Sequence, residues 1–213
     1  MDKELQKRIL SSIIIIPLSL VFIIKGSFFF ILFLTILLLI ACSEWFKMTK
    51  KNEYKIFGIS FLLLSFYSVY LIRDQGLFEF LMILTICIAT DIGGYVFGKL
   101  FKGPKLIRIS PNKTYSGVIG GFLMSIVAAY MLHGNLNGYF LESQNLFDDQ
   151  YFIFVVFLVS SVSQIGDLII SFFKRASNIK NTGNLFPGHG GLLDRIDGMI
   201  FVFPIVFIIS KIL

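Results

Sequence analysis

Seven stretches of predominantly apolar sequence follow one another along this chain, over residues 9–24, 28–46, 56–72, 77–97, 116–132, 151–173 and 198–213. An α-helix rises about 1.5 Å per residue and a hydrocarbon core is about 30 Å thick, so about 20 apolar residues make one crossing. Without water, the backbone has only itself to bond with, which restricts such segments to membrane-spanning helices. The predicted fold is therefore all-α: a polytopic membrane bundle of about seven transmembrane helices with a cytoplasmic N-terminus. The count falls to six if the turn at Lys25, Gly26 and Ser27 is the tip of a re-entrant hairpin. Composition agrees, with 56% of residues hydrophobic and 15% charged, against about 45–50% apolar in a soluble domain. No internal repeat and no domain linker is visible. Residues 1–213 read as one domain, whose polar motifs begin near residue 85.

If the chain threads back and forth from a cytoplasmic N-terminus, the inward segments hold all of its 19 lysines and arginines except Lys25, Arg73 and Lys211. That asymmetry follows the positive-inside rule. The outward stretch from His133 to Gln150 has no Lys or Arg and carries Glu142, Asp148 and Asp149. The net charge of +6 is then an inner-face charge, suited to anionic lipid headgroups and phosphorylated solutes. Nucleic acid would need a soluble basic surface, and none is visible. Lys3, Lys7 and Arg8 lead into the first apolar window without a small-residue cleavage site, so that window is expected to stay as an anchor. Cys42 and Cys87 lie within apolar runs and lack the spacing of a zinc or redox pair, which makes them buried thiols.

The sixth and fourth windows each place an aspartate among apolar residues. With Asp167 as origin, Ser160, Ser163, Gln164, Ser171 and Lys174 fall on one helical face, opposite Val162, Ile165, Leu168, Ile169, Phe172 and Phe173. Lipid can meet the apolar face. An ionised carboxylate at the membrane centre costs about 3 kcal/mol or more, so the polar stripe must face protein or a water-filled cavity. Serines and a glutamine alone would be a seam between helices; Asp167 with Lys174 points to function. Asp91 lies in the fourth window on a face with Cys87, Gly94, Tyr95 and Gly98, where the glycines let another helix approach closely.

The loop from Lys99 to Tyr115 joins five cations to the turn Ser110-Pro111-Asn112-Lys113-Thr114. Its hydroxyls and ammonium could hold phosphate oxygens, although a solvated positive-inside loop would carry the same charge. The stretch 171–197 concentrates the strongest chemistry. Asp194 and Asp197 are three residues apart where the last apolar window begins, so on a helix they share a face and could jointly hold a divalent cation. Gly188, Gly190 and Gly191 around His189 permit close backbone approach to a phosphate. His189 itself could be a general base, a phosphate ligand or a hydrogen-bonded loop residue. With Asp167 and the cations Lys174, Arg175, Lys180 and Arg195, this inventory suits metal-assisted phosphoryl or nucleotidyl transfer. A serine nucleophile elbow, a P-loop and a dinucleotide fingerprint are absent.

At these residues the chain resembles the phosphatidate cytidylyltransferases, or CDP-diglyceride synthetases. Their signature runs from a serine through Lys-Arg, a second lysine and Pro-x-His-Gly-Gly to Asp-Arg-x-Asp. Here these are Ser171, Lys174-Arg175, Lys180, Pro187, His189-Gly190-Gly191, Asp194-Arg195 and Asp197. Asp91, Gly166-Asp167, and Ser110 to Thr114 followed by Gly117, Gly120 and Gly121 look like further family motifs, which extends the resemblance from about Asp91 to the C-terminus. Asn181 departs from the pattern, standing where the family usually has Asp, and the chain is short for the family.

The resemblance implies that CTP and phosphatidic acid give CDP-diacylglycerol and pyrophosphate, in phospholipid biosynthesis, on the cytoplasmic side of a bacterial inner membrane. Magnesium would be held by Asp167, Asp194 and Asp197, with a second cation, monovalent or divalent, as a further candidate. Asp91 and His189 join the three as catalytic candidates. Ser110, Asn112, Lys113, Ser171, Lys174, Arg175, Lys180, Gly190, Gly191 and Arg195 would bind substrate. Membrane lipids and a second copy of the chain are the expected partners. Two other readings stand beside this one: a CTP-dependent lipid-alcohol kinase, which would release CDP, and an ion-coupled transporter using Asp91 and Asp167.

Overall fold

The computed structural model describes residues 17–107, 110–136, 146–147, 150–183, 185 and 190–212. Helix α1 covers the described residues 17–25. There follow α2 (Ser27–Met48), α3 (Asn52–Gln75), α4 (Leu77–Phe101), strands β1 (Lys105–Ile107) and β2 (Ser110–Thr114), α5 (Tyr115–Leu136), α6 (Phe152–Ala176), α7 (Leu193–Ile196) and α8 (Met199–Ile209). Five helices, α2 to α6, are long and apolar enough to cross a membrane. The chain is an integral membrane protein built as a helical bundle.

Two of the seven expected spans differ from the other five. The first window lies partly outside the described residues. The last yields α8, whose 11 residues rise only about 16 Å. Asp197 and Gly198 nevertheless keep right-handed helical backbone between α7 and α8, so the helical path begins before α8 itself.

A short hairpin, β1–β2, stands between α4 and α5 in this otherwise helical bundle. Its strands pair antiparallel, Lys105 opposite Thr114 and Ile107 opposite Ser110. Tyr115 N donates to the Pro104 carbonyl at 3.1 Å. Gly117 N donates to Thr114 Oγ1 at 3.1 Å, which satisfies one of the orphan donors at the start of α5. So the Ser-Pro-Asn-Lys-Thr segment is a strand that ends in a helix cap, and it delivers Lys113 one residue before that cap.

Helix α1 folds back on α2 through Gly26, at φ 63°, and the rings of Phe22 and Phe33 stack 5.2 Å apart. Arg73 near the end of α3 donates to the Ile23 carbonyl at 2.9 Å and the Ile24 carbonyl at 3.2 Å, satisfying acceptors that the end of α1 leaves open. Lys211 lies within electrostatic range of Glu79, near the start of α4. Arg73 and Lys211, two of the three cations assigned to the outer face, thus sit toward the end of the bundle opposite Lys113 and Lys174.

Helices α4 and α5 make the closest pair. A Cβ on Gly117 would stand 2.7 Å from the Gly94 carbonyl oxygen, and one on Gly93 would run into the Gly120 carbonyl. Gly93→Leu is therefore expected to destabilise the purified protein by about 3 kcal/mol or more, read as a lower unfolding temperature in detergent. Gly134→Leu on the same pair of helices should be neutral, since a Cβ there meets nothing within 4 Å.

Proline 204 lies inside α8, where it cannot donate to the carbonyl of Ile200. The Ser65 hydroxyl from α3 stands 2.7 Å from that oxygen and donates to it. Around this contact lies one of two apolar clusters, which includes Ala41, Trp45, Leu62, Ile170, Leu192, Leu193 and Ile200. The other, with Phe30, Phe78, Met82 and Val156, fills the end near Arg73. The first cluster underlies the segment 190–197. Of the two thiols, Cys87 is buried and Cys42 only half-buried.

Candidate active site

The polar stripe of α6 faces protein, as its period predicts. Ser160 and Ser163 are buried. Thr90 Oγ1 on α4 lies 2.9 Å from Ser160 Oγ, and Gln164 Nε2 is 3.4 Å from the same hydroxyl. Further along, Ser171 Oγ donates to Asp167 Oδ1 at 3.3 Å, and Lys174 Nζ reaches Asp194 Oδ1 at 2.9 Å. The opposite face is only partly open to lipid. Ile165 and Phe172 are exposed, whereas Phe173 packs edge-on against Trp45 at 5.0 Å and Tyr54 at 5.8 Å.

The stripe is one wall of a cavity of about 410 Å³. Asp91 and Gly94 of α4, Lys113 and Thr114 of the hairpin, Gln164, Asp167 and Lys174 of α6, and Asp194 and Asp197 of the last segment line it. Lys113 forms an ion pair with Asp167 Oδ2. Lys174 stands between two acids, 2.9 Å from Asp194 and 3.9 Å from Asp197. Two glycines make the encounter of Asp167 and Asp197 possible. A Cβ on Gly166 would lie 2.6 Å from the Phe201 ring, and one on Gly198 would lie 2.5 Å from Ser163 Oγ. Each glycine neighbours an acid in sequence, so the helices close where the carboxylates must meet.

Asp167 and Asp197 are within hydrogen-bonding contact. Their side chains are 29% and 15% exposed, so the two like charges face each other in a site only partly open to solvent. Two half-buried carboxylates in contact hold a proton or a cation between them. Asp194 is placed differently. Its Oδ2 accepts from Thr182 N at 2.8 Å and Gly191 N at 3.0 Å, while its Oδ1 takes Lys174. Asp194 and Asp197 share a helical face, as expected, and the group that joins them here is an ammonium. Among the described residues, no three acidic, histidine or cysteine side chains converge on one point.

Gly190 and Gly191 are buried. Gly190 has φ 87°, a backbone state that suits glycine, and a Cβ on it would stand 2.7 Å from Asp194 Oδ2. A Cβ on Gly191 would meet Glu44 Oε2 at 2.5 Å. The room they give is taken by carboxylates of the protein. Arg175, Lys180, Asn181 and Arg195 are exposed. Pro187, His189 and the side chains of Ser110 and Asn112 lie outside the described residues.

Glu44 carries no role in the motif pattern, yet it is buried among apolar side chains near the end of α2. It accepts from Thr182 Oγ1 at 2.8 Å, Leu192 N at 2.8 Å and Leu193 N at 2.9 Å. An ionisable residue inside an apolar window is a signal in itself, and it was readable within the stretch 28–46.

Comparison with known proteins matches the model of the Cytidylyltransferase family over residues 6–73 and 56–213. A phosphatidate cytidylyltransferase of Rickettsia felis is 32% identical over 222 residues, covering 98% of this chain and 94% of the relative. One of Rickettsia bellii is 32% identical over 216 residues, covering 98% and 93%. One of Staphylococcus aureus is 35% identical over 176 residues, covering 77% of this chain and 64% of the relative. Similarity therefore begins near the N-terminus and not at Asp91, and the helix that carries Glu44 lies inside it. On a match that spans nearly its whole length, the chain belongs to the cytidylyltransferase family.

Proposed function

We propose that this protein is a phosphatidate cytidylyltransferase, which makes CDP-diacylglycerol and pyrophosphate from CTP and phosphatidic acid. The observation that carries the reading is the cavity at the membrane edge in which Lys113 and Lys174 alternate with Asp91, Asp167, Asp194 and Asp197. The two ammoniums offer charge-assisted donors to phosphate oxygens, and the carboxylates that outnumber them suit a phosphate accompanied by cations. The names of the relatives point to the same chemistry.

A phosphate oxygen of phosphatidic acid attacks the α-phosphorus of CTP. The new P–O bond forms as the bond to the β-phosphate oxygen breaks, and pyrophosphate leaves with that electron pair. A phosphate monoester is largely dianionic at neutral pH, so no strong base is required. Lys113 and Lys174 neutralise triphosphate oxygens, and Arg175, Lys180 and Arg195 draw anionic substrates toward the site. His189, Ser110, Asn112 and Ser171 remain substrate-contacting candidates. Asp91 lies on the wall across from α6.

The donors fit magnesium. Mg2+ is commonly bound by one or two carboxylates together with substrate phosphates, and the touching pair Asp167 and Asp197 offers those hard oxygens. Asp194 would join them once Lys174 turns to a phosphate. When bound, the ion would screen phosphate oxygens that otherwise repel the nucleophile. A second cation, monovalent or divalent, would find Asp91 beside the pair.

The site faces the cytoplasm of a bacterial inner membrane, with α1 and the α7–α8 path as the first and seventh spans. Support comes from the charges: Lys113 and Lys174 lie at the site's end of the bundle, and Arg73 and Lys211 at the other. Purified protein given labelled CTP, phosphatidic acid and magnesium is expected to yield CDP-diacylglycerol and one pyrophosphate per turnover. Release of CDP would mean terminal-phosphate transfer and would overturn the reading. Chelation of divalent ions should stop product formation, and added magnesium should restore it.

A further inference from the structure

We propose that Glu44 is a positioning residue of the active site, through which α2 holds the segment carrying Asp194 and Asp197 in place. This rests on the transferase reading above for its kinetic consequence, though not for its geometry.

Glu44 is 6% exposed and stands between Ser43 and Trp45, with Ala41, Trp45 and Met48 of its own helix in the surrounding apolar cluster. A carboxylate in such a place is expensive unless hydrogen-bonded. Its donors are the hydroxyl of Thr182 and the backbone N–H groups of Leu192 and Leu193, none of which is another charge. The carboxylate thus serves the backbone of a distant segment, 138 to 149 residues away in sequence. Leu193 opens α7, so the contact sets the direction in which Asp194, Arg195 and Asp197 leave the loop.

Thr182 joins this carboxylate to the site. Its hydroxyl lies 2.8 Å from Glu44 Oε2 and 3.2 Å from Asp194 Oδ2, and its N–H donates to Asp194 Oδ2 at 2.8 Å. The hydroxyl has a single proton, and the shorter contact takes it. From Asp194 the chain of contacts runs through Lys174 to Asp197. Among the described residues, Glu44 hydrogen-bonds to Thr182, Leu192 and Leu193 and through them acts on the cavity-lining groups. The absence of a side chain at Gly183 and Gly191 has the same origin. A Cβ at Gly183 would stand 2.7 Å from Glu44 Oε1, and one at Gly191 would stand 2.6 Å from it.

Glutamine at position 44 keeps the size but turns an NH2 group toward donors. Displacing reacting groups by about 1 Å costs on the order of 100-fold in rate. In the purified full-length protein, Glu44→Gln is expected to lower kcat about 100-fold, with KM for phosphatidic acid within about 3-fold of wild type. Thr182→Val should lower kcat in the same direction, and the double variant should be no worse than about 3-fold below the weaker single one, as expected of residues acting in one chain. Leu62→Ala serves as the control for simple loosening, because Leu62 lies in the same cluster and its side chain offers the loop no hydrogen bond. It should lower the unfolding temperature while leaving kcat of the folded protein within about 3-fold.

Hydrogen exchange at Leu192 and Leu193 gives a readout independent of turnover. Both amides should exchange at least about 10-fold faster in Glu44→Gln than in wild type. Wild-type kcat and wild-type protection in Glu44→Gln would overturn the proposal. So would an equal loss of kcat in Leu62→Ala at matched unfolding temperature. An inactive wild type in which Glu44→Gln still frees the two amides would overturn the transferase reading and leave the hold of Glu44 on the loop established.

Discussion

Asp197→Asn is expected to cut CDP-diacylglycerol formation by at least about 10³-fold while leaving the protein as stable as wild type or slightly more so. The two halves of that outcome have one cause. Asp197 lies against Asp167 with its side chain only 15% exposed, so its negative charge faces a second one at close range. An ionised Asp197 is therefore a burden on the folded chain, which asparagine removes. The charge matters only when cationic groups of the reaction are present to meet it. Labelled CTP turnover measures the first half and thermal unfolding in detergent the second. Retained turnover would remove Asp197 from the reacting centre.

Asp194→Asn should lose comparable activity by another route, and the unfolding temperature separates the two. Asp194 is 8% exposed at its side chain and ion-paired to Lys174, and its other oxygen accepts from two backbone amides. Removing one partner of a buried pair costs up to about 3–5 kcal/mol, because the ammonium of Lys174 keeps only the more distant Asp197, at 3.9 Å. An asparagine also has only one acceptor oxygen for three donors. The expected result is a clearly lower unfolding temperature, together with faster proteolysis within residues 177–192. Equal stability of the Asp194→Asn and Asp197→Asn proteins would show that the two acids share one role, as their spacing alone suggests.

That spacing marks where legibility in the sequence ends. A period of 3.6 was enough to place Ser160, Gln164, Asp167, Ser171 and Lys174 on one face, because a polar stripe in an apolar helix has only protein or water to face. Five of the long apolar windows became helices within a few residues of their expected ends, for the same reason. What spacing could not convey was partnership. Asp194 and Asp197 do share a side, but whether a carboxylate faces an ion, a lysine or backbone amides depends on segments far away in the chain. The glycines of the signature were read as room for a phosphate, whereas Gly190 and Gly191 make room for Asp194 and Glu44. Glu44 stood in plain view and took meaning only once α2 was laid beside Leu192. The hairpin was missed because five cations and two prolines read as an open loop, and strand pairing of three residues leaves little periodic trace.

The bond between Ser65 and the Ile200 carbonyl has a bearing on how deep the reaction occurs. Apolar packing chooses which side of a helix is covered but is nearly indifferent to sliding along the axis, since one leucine in lipid resembles the next. A hydroxyl seated on the carbonyl that Pro204 leaves open is not indifferent. It works as a depth gauge that locks α8 to α3 at a single height. Ile200 is three residues past Asp197, a rise of about 4.5 Å, so the height of that acid along the bundle is set by a different helix. Phosphatidic acid carries its phosphate at a level fixed by the membrane, and the protein must bring its carboxylates to that level.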